Sequence, residues 1–183
     1  FGFNAGSALA ADGLAVHALV TTHLSAAAAM FSWILLEYLK NGKPSLVGAS
    51  TGLVAGLVAI TPGAGFVSTW SAVIIGLLVS PVCFYAIAIV KHKLGYDDAL
   101  DAFGCHGVGG IFGGIVTGLF TTPELALDPD NIGLIYGNPR LFLVTIAAIV
   151  FTIVWSAGMT FVLMKGISFF MPLRVSDREE VIG

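Results

Sequence analysis

Charged residues are scarce in this chain, and they are unevenly spread. Only 10% of the 183 residues are Asp, Glu, Lys or Arg, whereas a soluble domain carries about 25%. Hydrophobic residues make up 57%. Four long stretches hold no charged residue, namely 13–36, 44–90, 102–123 and 141–164. Because a membrane-spanning helix needs about 20 apolar residues, this composition excludes an ordinary soluble domain and predicts a membrane protein.

The uncharged stretches predict an all-α membrane protein with a polytopic helical bundle. The stretch 44–90 is long enough for two spans, and the run TPGAG at 61–65 divides it. The predicted spans are therefore about 13–38, 44–60, 67–90, 98–121 and 141–168. Residues 1–12 read as the end of a preceding transmembrane helix and an outer loop. We therefore expect the C-terminal part of a longer protein.

Basic residues are nearly absent from one side of the predicted bundle. They lie between spans one and two, between spans three and four, and after span five, at Lys40, Lys43, Lys91, Lys93, Arg174 and Arg178. The opposite side holds only Arg140. Because Lys and Arg favour cytoplasmic connections, we expect residues 173–183 to begin a cytoplasmic tail.

The chain lacks the usual signatures of catalytic and metal sites. Its two cysteines, Cys83 and Cys105, fall within predicted spans, where they behave as small apolar residues and do not make a disulfide framework. The glycines follow neither a phosphate-binding nor a dinucleotide-binding pattern, and no nucleophile with a nearby base is evident. We therefore expect no enzyme, no cofactor, no metal ion and no nucleic acid partner.

One histidine lies within the fourth predicted span, in the glycine-rich run DAFGCHGVGGIFGG. The 12 residues from Leu94 to His106 cover roughly 18 Å at about 1.5 Å per residue, which places the imidazole near the middle of the membrane. An ionisable side chain is costly there and is by default a candidate functional group. Two interpretations stay open: a proton carrier beside a pathway, or a core histidine hydrogen-bonded to a neighbouring helix.

Structural roles are expected for the other polar groups of the spans. His17 and His23 lie about 240° apart on one helix, so each is expected to make a structural hydrogen bond. His92 lies in a basic loop and is expected to be solvated. The carboxylates at the start of the fourth span, Asp98 and Asp101, suit a helix cap and a loop anchor better than a proton relay.

Glycines recur every four residues along two of the predicted spans. They are Gly48, Gly52 and Gly56 in the second span and Gly110, Gly114 and Gly118 in the fourth. This spacing places each row on one helix face, where small residues let a neighbouring helix approach closely. We therefore expect both rows to serve helix packing.

Four segments together resemble a known family. They are FGFNAGSALAA, KPSLVGASTGLVAGLVAITPGAGFV, DDALDAFGCHGVGGIFGGIVTGLF and, after the last span, LRVSDREE. In this order they are similar to the second half of the Amt/Mep/Rh ammonium transporter family, on the Amt/Mep side. The resemblance covers nearly the whole chain and implies the second half of an 11-span inverted-repeat fold. The chain departs from the family in lacking the first half, and at Cys105, where many relatives have an apolar residue.

The resemblance implies a set of pathway residues. His106 matches one of two histidines that share a proton in a narrow apolar pore, the other belonging to the family's first half. Phe3 matches one of two phenylalanines that close the outer mouth, and Ser7 matches a serine that recruits ammonium there. Val54 matches a pore-lining aliphatic residue, and Phe103 is expected near the pore on the inward side of His106.

The resemblance also implies a function and partners. These are an ammonium transporter subunit that deprotonates ammonium and passes ammonia, a homotrimer, and a PII-type regulatory protein at the cytoplasmic loops and the tail 174–183. Three other interpretations stay open. The first is an Rh-type gas channel, against which the tail motif LRVSDREE argues. The second is an ammonium sensor of the same fold coupled to a signalling domain. The third is a scaffold protein in which His106 is structural.

Overall fold

The computed structural model describes residues 1–182 as helices joined by loops. Eight α-helices follow in chain order: α1 (Gly2–Gly6), α2 (Gly13–Asn41), α3 (Leu46–Ile60), α4 (Thr69–Tyr85), α5 (His92–Leu94), α6 (Val108–Phe120), α7 (Arg140–Ser168) and α8 (Asp177–Ile182). Two π-helical segments, Ala86–Lys91 and Phe103–Gly107, connect α4 to α5 and lead into α6. Residues 1–182 contain no β-strand. The chain divides into two units, Phe1–Ile146 and the residues from Ala147 onward.

Helices occupy all five segments that the sequence predicts as spans. Four are long and apolar enough to cross a bilayer: Gly13–Asn41, Thr69–Leu94, Phe103–Phe120 and Arg140–Ser168. Helix α3 has 15 residues, roughly 22 Å at 1.5 Å per residue, which is shorter than a hydrocarbon core of about 30 Å. Its crossing of the membrane therefore stays a prediction. The fourth predicted span starts as a loop at 98–101, and its helix begins only after that loop.

Polar caps explain where the first long helices begin. Asp12, Ser45 and Ser68 precede α2, α3 and α4, and each side chain accepts a hydrogen bond from the amide three residues later, at 3.0, 2.9 and 3.1 Å. Each cap satisfies one of the unpaired amides of a first helical turn. Helix α2 ends at Gly42, whose φ of 74° is a left-handed conformation that glycine adopts without steric cost.

Helix α2 packs against both α3 and α4 through small residues. A Cβ atom at Gly56 of α3 would lie 2.6 Å from the carbonyl oxygen of Ser25, and one at Gly76 of α4 would meet the same carbonyl. Gly52 likewise faces the side chain of Trp33. The glycine row of α3 therefore allows the close helix approach that its spacing predicts.

The glycine row of α6 packs only partly as predicted. A Cβ atom at Gly113 would lie 2.6 Å from the carbonyl oxygen of Ala59 in α3, and Gly109 also faces α3. Gly118 packs against the start of α7. Gly110, however, has no atom of the described residues within 4 Å of its Cβ position. The contact between α6 and α3 is therefore made at Gly109 and Gly113, which lie next to the predicted row. The side of α6 that carries Gly110 has no neighbour at that position within the described residues.

A proline inside α4 is accommodated by a neighbouring helix. Pro81 has no amide hydrogen, so the carbonyl of Leu77, four residues earlier, loses its helical partner. The hydroxyl of Ser32 in α2 donates to that carbonyl at 3.0 Å. The adjacent Ser80 hydroxyl donates in turn to the carbonyl of Ala29 in α2 at 2.6 Å. The two helices are therefore joined by hydrogen bonds where α4 is weakest.

Candidate functional site

His106 lies in the π-helical segment Phe103–Gly107, at the start of the fourth long helix. Its side chain is exposed on the surface of residues 1–182 and makes no hydrogen bond within them. Gly110, four residues later, faces the same open side of the helix. The ring therefore makes no hydrogen bond to a neighbouring helix of the described residues, and both interpretations of this histidine stay open.

The two carboxylates before this segment hold the start of the helix. The Asp98 carboxylate accepts hydrogen bonds from the amides of Ala102 and Phe103, at 2.8 and 2.9 Å. Asp101 has a φ of 54° and forms an ion pair with Lys91, with 2.7 Å between Nζ and Oδ1. Both groups are thus engaged at the helix start, in the geometry of a cap and a loop anchor.

Phe103 covers the backbone next to His106. Its ring is half exposed and meets the ring of Tyr96 edge-on, with 5.8 Å between the centroids. A Cβ atom at Gly107 would lie 2.7 Å from the Phe103 ring, so only glycine leaves room for the ring in this position. Phe103 therefore lies within one turn of His106 and toward the start of the helix, and its place on the inward side of a pore stays a prediction.

Val54 is half-buried in helix α3. Helices α3 and α6 run in the same direction, because Val58 faces Gly109 and the loops that follow the two helices pair at Val67 and Thr121. Val54 is one turn before Val58 on the same face of α3. One turn before Gly109 lie residues 105 and 106. The contact between Val58 and Gly109 therefore favours a place for Val54 near the His106 segment, which stays a prediction.

Phe3 and Ser7 lie together at the other end of the unit. They line a cavity of about 120 Å³ with α2 and the loop that follows α3. The Ser7 hydroxyl donates to the Phe3 carbonyl at 2.7 Å, which leaves its oxygen free to accept a hydrogen bond. The Phe3 ring is 78% exposed. Asn4 donates to the Thr22 hydroxyl at 3.0 Å and anchors this short helix on α2.

The remaining histidines have different surroundings. His17 bonds through Nε2 to the carbonyl of Val67 at 2.9 Å, the structural role predicted for it. The hydrogen bond predicted for His23 is not found among residues 1–182, because its ring points outward and lies 5.7 Å from the ring of Phe1. His92 is exposed, as expected. The described residues contain no cluster of His, Cys, Asp and Glu side chains that could hold a metal ion.

The structural role of one residue in this region was not predicted from the sequence. Lys91 served there only as a marker of orientation, whereas the structure places its ammonium group against Asp98 and Asp101. Seven and ten residues separate these partners in the chain, and the intervening loop has no periodic pattern that would reveal the contact. The π-helical form of Phe103–Gly107 was also unforeseen.

Comparison with known proteins shows one consistent similarity. The family model described as Ammonium Transporter Family matches residues 1–183. The ammonium transporter of Bacillus subtilis is 49% identical over the whole of this chain, which spans 45% of that protein. Mep2 of Saccharomyces cerevisiae has a TM-score of 0.90 at 34% identity, over 97% of this chain and 42% of that one. A structure titled "Sensor Amt Protein" has a TM-score of 0.89 at 27% identity, over 100% and 44%. The chain thus spans less than half the length of each.

Proposed function

Because the chain belongs to the ammonium transporter family, we propose that the protein carries ammonium across a membrane through a pore that these residues line in part. The helices are those of a multi-pass membrane protein. The observation that carries the proposal is the imidazole of His106, which is exposed and unbonded within residues 1–182 on an otherwise apolar helix. An ionisable ring on an apolar membrane helix is by default a candidate functional group, and this supports the proposal.

The physical problem is the charge of ammonium. A bare cation in an apolar pore has lost the water that stabilises it, and the Born penalty is large. Ammonium avoids most of this penalty by leaving a proton at the mouth and moving as neutral ammonia. Potassium has no proton to lose, so the same pore excludes it.

The outer residues suit the capture of the cation. The exposed ring of Phe3 offers a π face, and a desolvated cation–π contact is worth about 2 kcal/mol or more. The Ser7 oxygen can accept a hydrogen bond, which is what an ammonium ion donates. We propose that these two residues form part of the outer binding site.

The inner residues suit the passage of ammonia and a proton. The His106 ring offers one hydrogen-bond donor and one acceptor, which suits it to bind ammonia and to hand on a proton. Val54 and Phe103 supply apolar walls that keep water out. We propose that His106 hydrogen-bonds ammonia in transit and relays the separated proton.

We propose that the protein is a homotrimer that meets a PII-type regulatory protein at its cytoplasmic face. Both proposals rest on the family resemblance of the chain. The basic residues of the loops and the segment after α7 support a cytoplasmic tail, where Arg174 pairs with Glu180 at 3.0 Å.

A second candidate function is an ammonium sensor. It is favoured by the TM-score of 0.89 against the structure titled "Sensor Amt Protein". A sensor would bind ammonium through the same residues without carrying it. Uptake by the unsubstituted protein separates the two functions, because a sensor binds ammonium and gives no uptake.

Substitution of His106 by alanine tests the proposal. We expect ammonium uptake into proteoliposomes to fall about tenfold or more, or potassium to enter, because a hydrogen bond to a charged group is worth about 1.5–3 kcal/mol. The variant should elute from a sizing column as the unsubstituted protein does. His92→Ala is the matched control and should keep full uptake, since His92 is exposed at the start of the short helix α5. Unchanged uptake together with continued exclusion of potassium in His106→Ala would contradict the proposal.

A further inference from the structure

Lys91 makes two contacts across the loop that precedes the His106 segment. It is the last residue of the π-helical segment Ala86–Lys91. Its ammonium group donates to the carbonyl oxygen of Asp98 at 2.5 Å and to Oδ1 of Asp101 at 2.7 Å. The side chains of Lys91 and Asp101 are 23% and 33% exposed, so this ion pair is mostly shielded from water.

Both partners of Lys91 also hold the backbone of the His106 segment. The carboxylate of Asp98 accepts from the first two amides of the helix, at 102 and 103. The carbonyl of Asp101 accepts from the amide of Cys105 at 2.9 Å. Asp101 takes up a left-handed φ of 54°, which a non-glycine residue adopts at a cost that the surroundings must offset. Lys91 is the group that binds both residues at once.

The two π-helical segments also touch each other directly. A side chain at Gly104 would clash with Ile87, so the backbone of the His106 segment lies directly on the segment that ends at Lys91. A π-helical turn carries an extra residue, and such turns occur frequently at functional sites. The position of His106 along its helix axis therefore depends on the contact between Ile87 and Gly104 and on the two bonds that Lys91 makes to the loop.

We propose that Lys91 is a positioning residue, which holds the Phe103–Gly107 segment at the height and rotation that point His106 into the pathway. Lys91 itself does not touch the passing molecule. Removal of its ammonium group leaves Asp101 without a partner for its charge and frees the loop 95–101. The start of the helix can then shift, and a displacement of about 1 Å at a reacting group can cost on the order of 100-fold in rate.

The inference rests on the proposed function, and uptake by variants of the full-length protein is its first test. Lys91→Met and Asp101→Asn each remove one charge of the pair, and asparagine tolerates the left-handed conformation. We expect each variant to lower ammonium uptake about fivefold or more, and the double variant to lower it no further, because both changes remove one interaction. Lys91→Arg should keep most of the uptake. Lys93→Met is the matched control and should match the unsubstituted protein.

Thiol labelling provides a second test that does not depend on transport. Cys105 is buried in the His106 segment, and Cys83 is buried in α4. In backgrounds in which one of them is the only cysteine, we expect Lys91→Met to raise the labelling rate of Cys105 by N-ethylmaleimide several-fold. The rate of Cys83 should not change, because α4 is held by its own contacts with α2.

The outcomes separate the two proposals. Uptake by Lys91→Met equal to that of the unsubstituted protein would overturn the role of Lys91. An unchanged labelling rate at Cys105 would also overturn it. A higher labelling rate at both cysteines would overturn it as well, because it would mean that the whole helix bundle had become less stable. If the unsubstituted protein carries no ammonium, the proposed function fails, and the labelling of Cys105 against Cys83 alone decides whether Lys91 positions the segment.

Discussion

Single side chains satisfy the backbone groups that helix ends and a proline leave unpaired. Ser32 donates to the carbonyl that Pro81 deprives of a partner, and Asp98 accepts from two amides at the start of the His106 segment. An unpaired buried backbone group costs about as much as a lost hydrogen bond, and this applies to the part-buried bond from Ser32, whereas the two bonds to Asp98 are exposed. For a single residue, the ability of its side chain to donate or accept a hydrogen bond decides whether it can satisfy such a backbone group.

A capping box near the end of the chain leads to a pH prediction. Glu179 accepts hydrogen bonds from the hydroxyl of Ser176 at 2.7 Å and from its amide at 3.0 Å, and these bonds lower the pKa of Glu179. The bonds therefore stabilise α8 fully above the ordinary glutamate pKa, and this stabilisation is lost as the pH falls through the lowered value. In an NMR titration of the Glu179 carboxyl carbon, we expect the midpoint to rise in Ser176→Ala. Equal midpoints would count against the capping box.

At the scale of elements, the long stretches without charged residues predicted the segments in which the long helices lie. Capping residues at 12, 45 and 68 mark the starts of α2, α3 and α4. The sequence predicts helix at 98–101, where the structure has a loop, because the composition of these residues suits a first helical turn as well as the segment before one. The glycine spacing predicted the packing contacts of α3, but only part of those of α6. Spacing shows which glycines share a helix face, and it does not show which neighbouring helix that face contacts.

Two glycines of α6 provide a matched test of the helix contact. A Cβ atom at Gly113 would press on the Ala59 carbonyl, whereas the position at Gly110 is open within residues 1–182. We expect Gly113→Ala to lower the stability of the protein in detergent by about 1–3 kcal/mol, because overpacking forces the backbones apart. Gly110→Ala should be neutral or stabilising by up to about 1 kcal/mol. Thermal unfolding measures both, and an equal loss in the two variants would contradict the packing.

At the scale of the whole molecule, much apolar surface has no partner within the described residues. The helix Arg140–Ser168 is apolar and buries none of its residues there. Large exposed apolar surface in a protein is covered by lipid or by another protein surface. We propose that lipid covers at least part of this helix.

Tryptophan fluorescence tests the contact with lipid. Trp155 on α7 is 59% exposed, and Trp33 on α2 is 4% exposed. With one tryptophan retained at a time, we expect lipids brominated on their acyl chains to quench Trp155 strongly and Trp33 weakly, since quenching requires contact. If Trp33 were quenched as strongly as Trp155, the predicted arrangement would be wrong.

The sequence by itself determined that this is a helical membrane protein and which segments contain its long helices. These properties follow from local hydropathy and spacing, which need no knowledge of distant contacts. Only the tertiary structure decided that His106 is unbonded within residues 1–182 and that Lys91 holds the loop before it. The reason is physical: these relations join residues on different helices, and helix packing, including two π-helical turns that rotate the side chains after them, determines which groups meet.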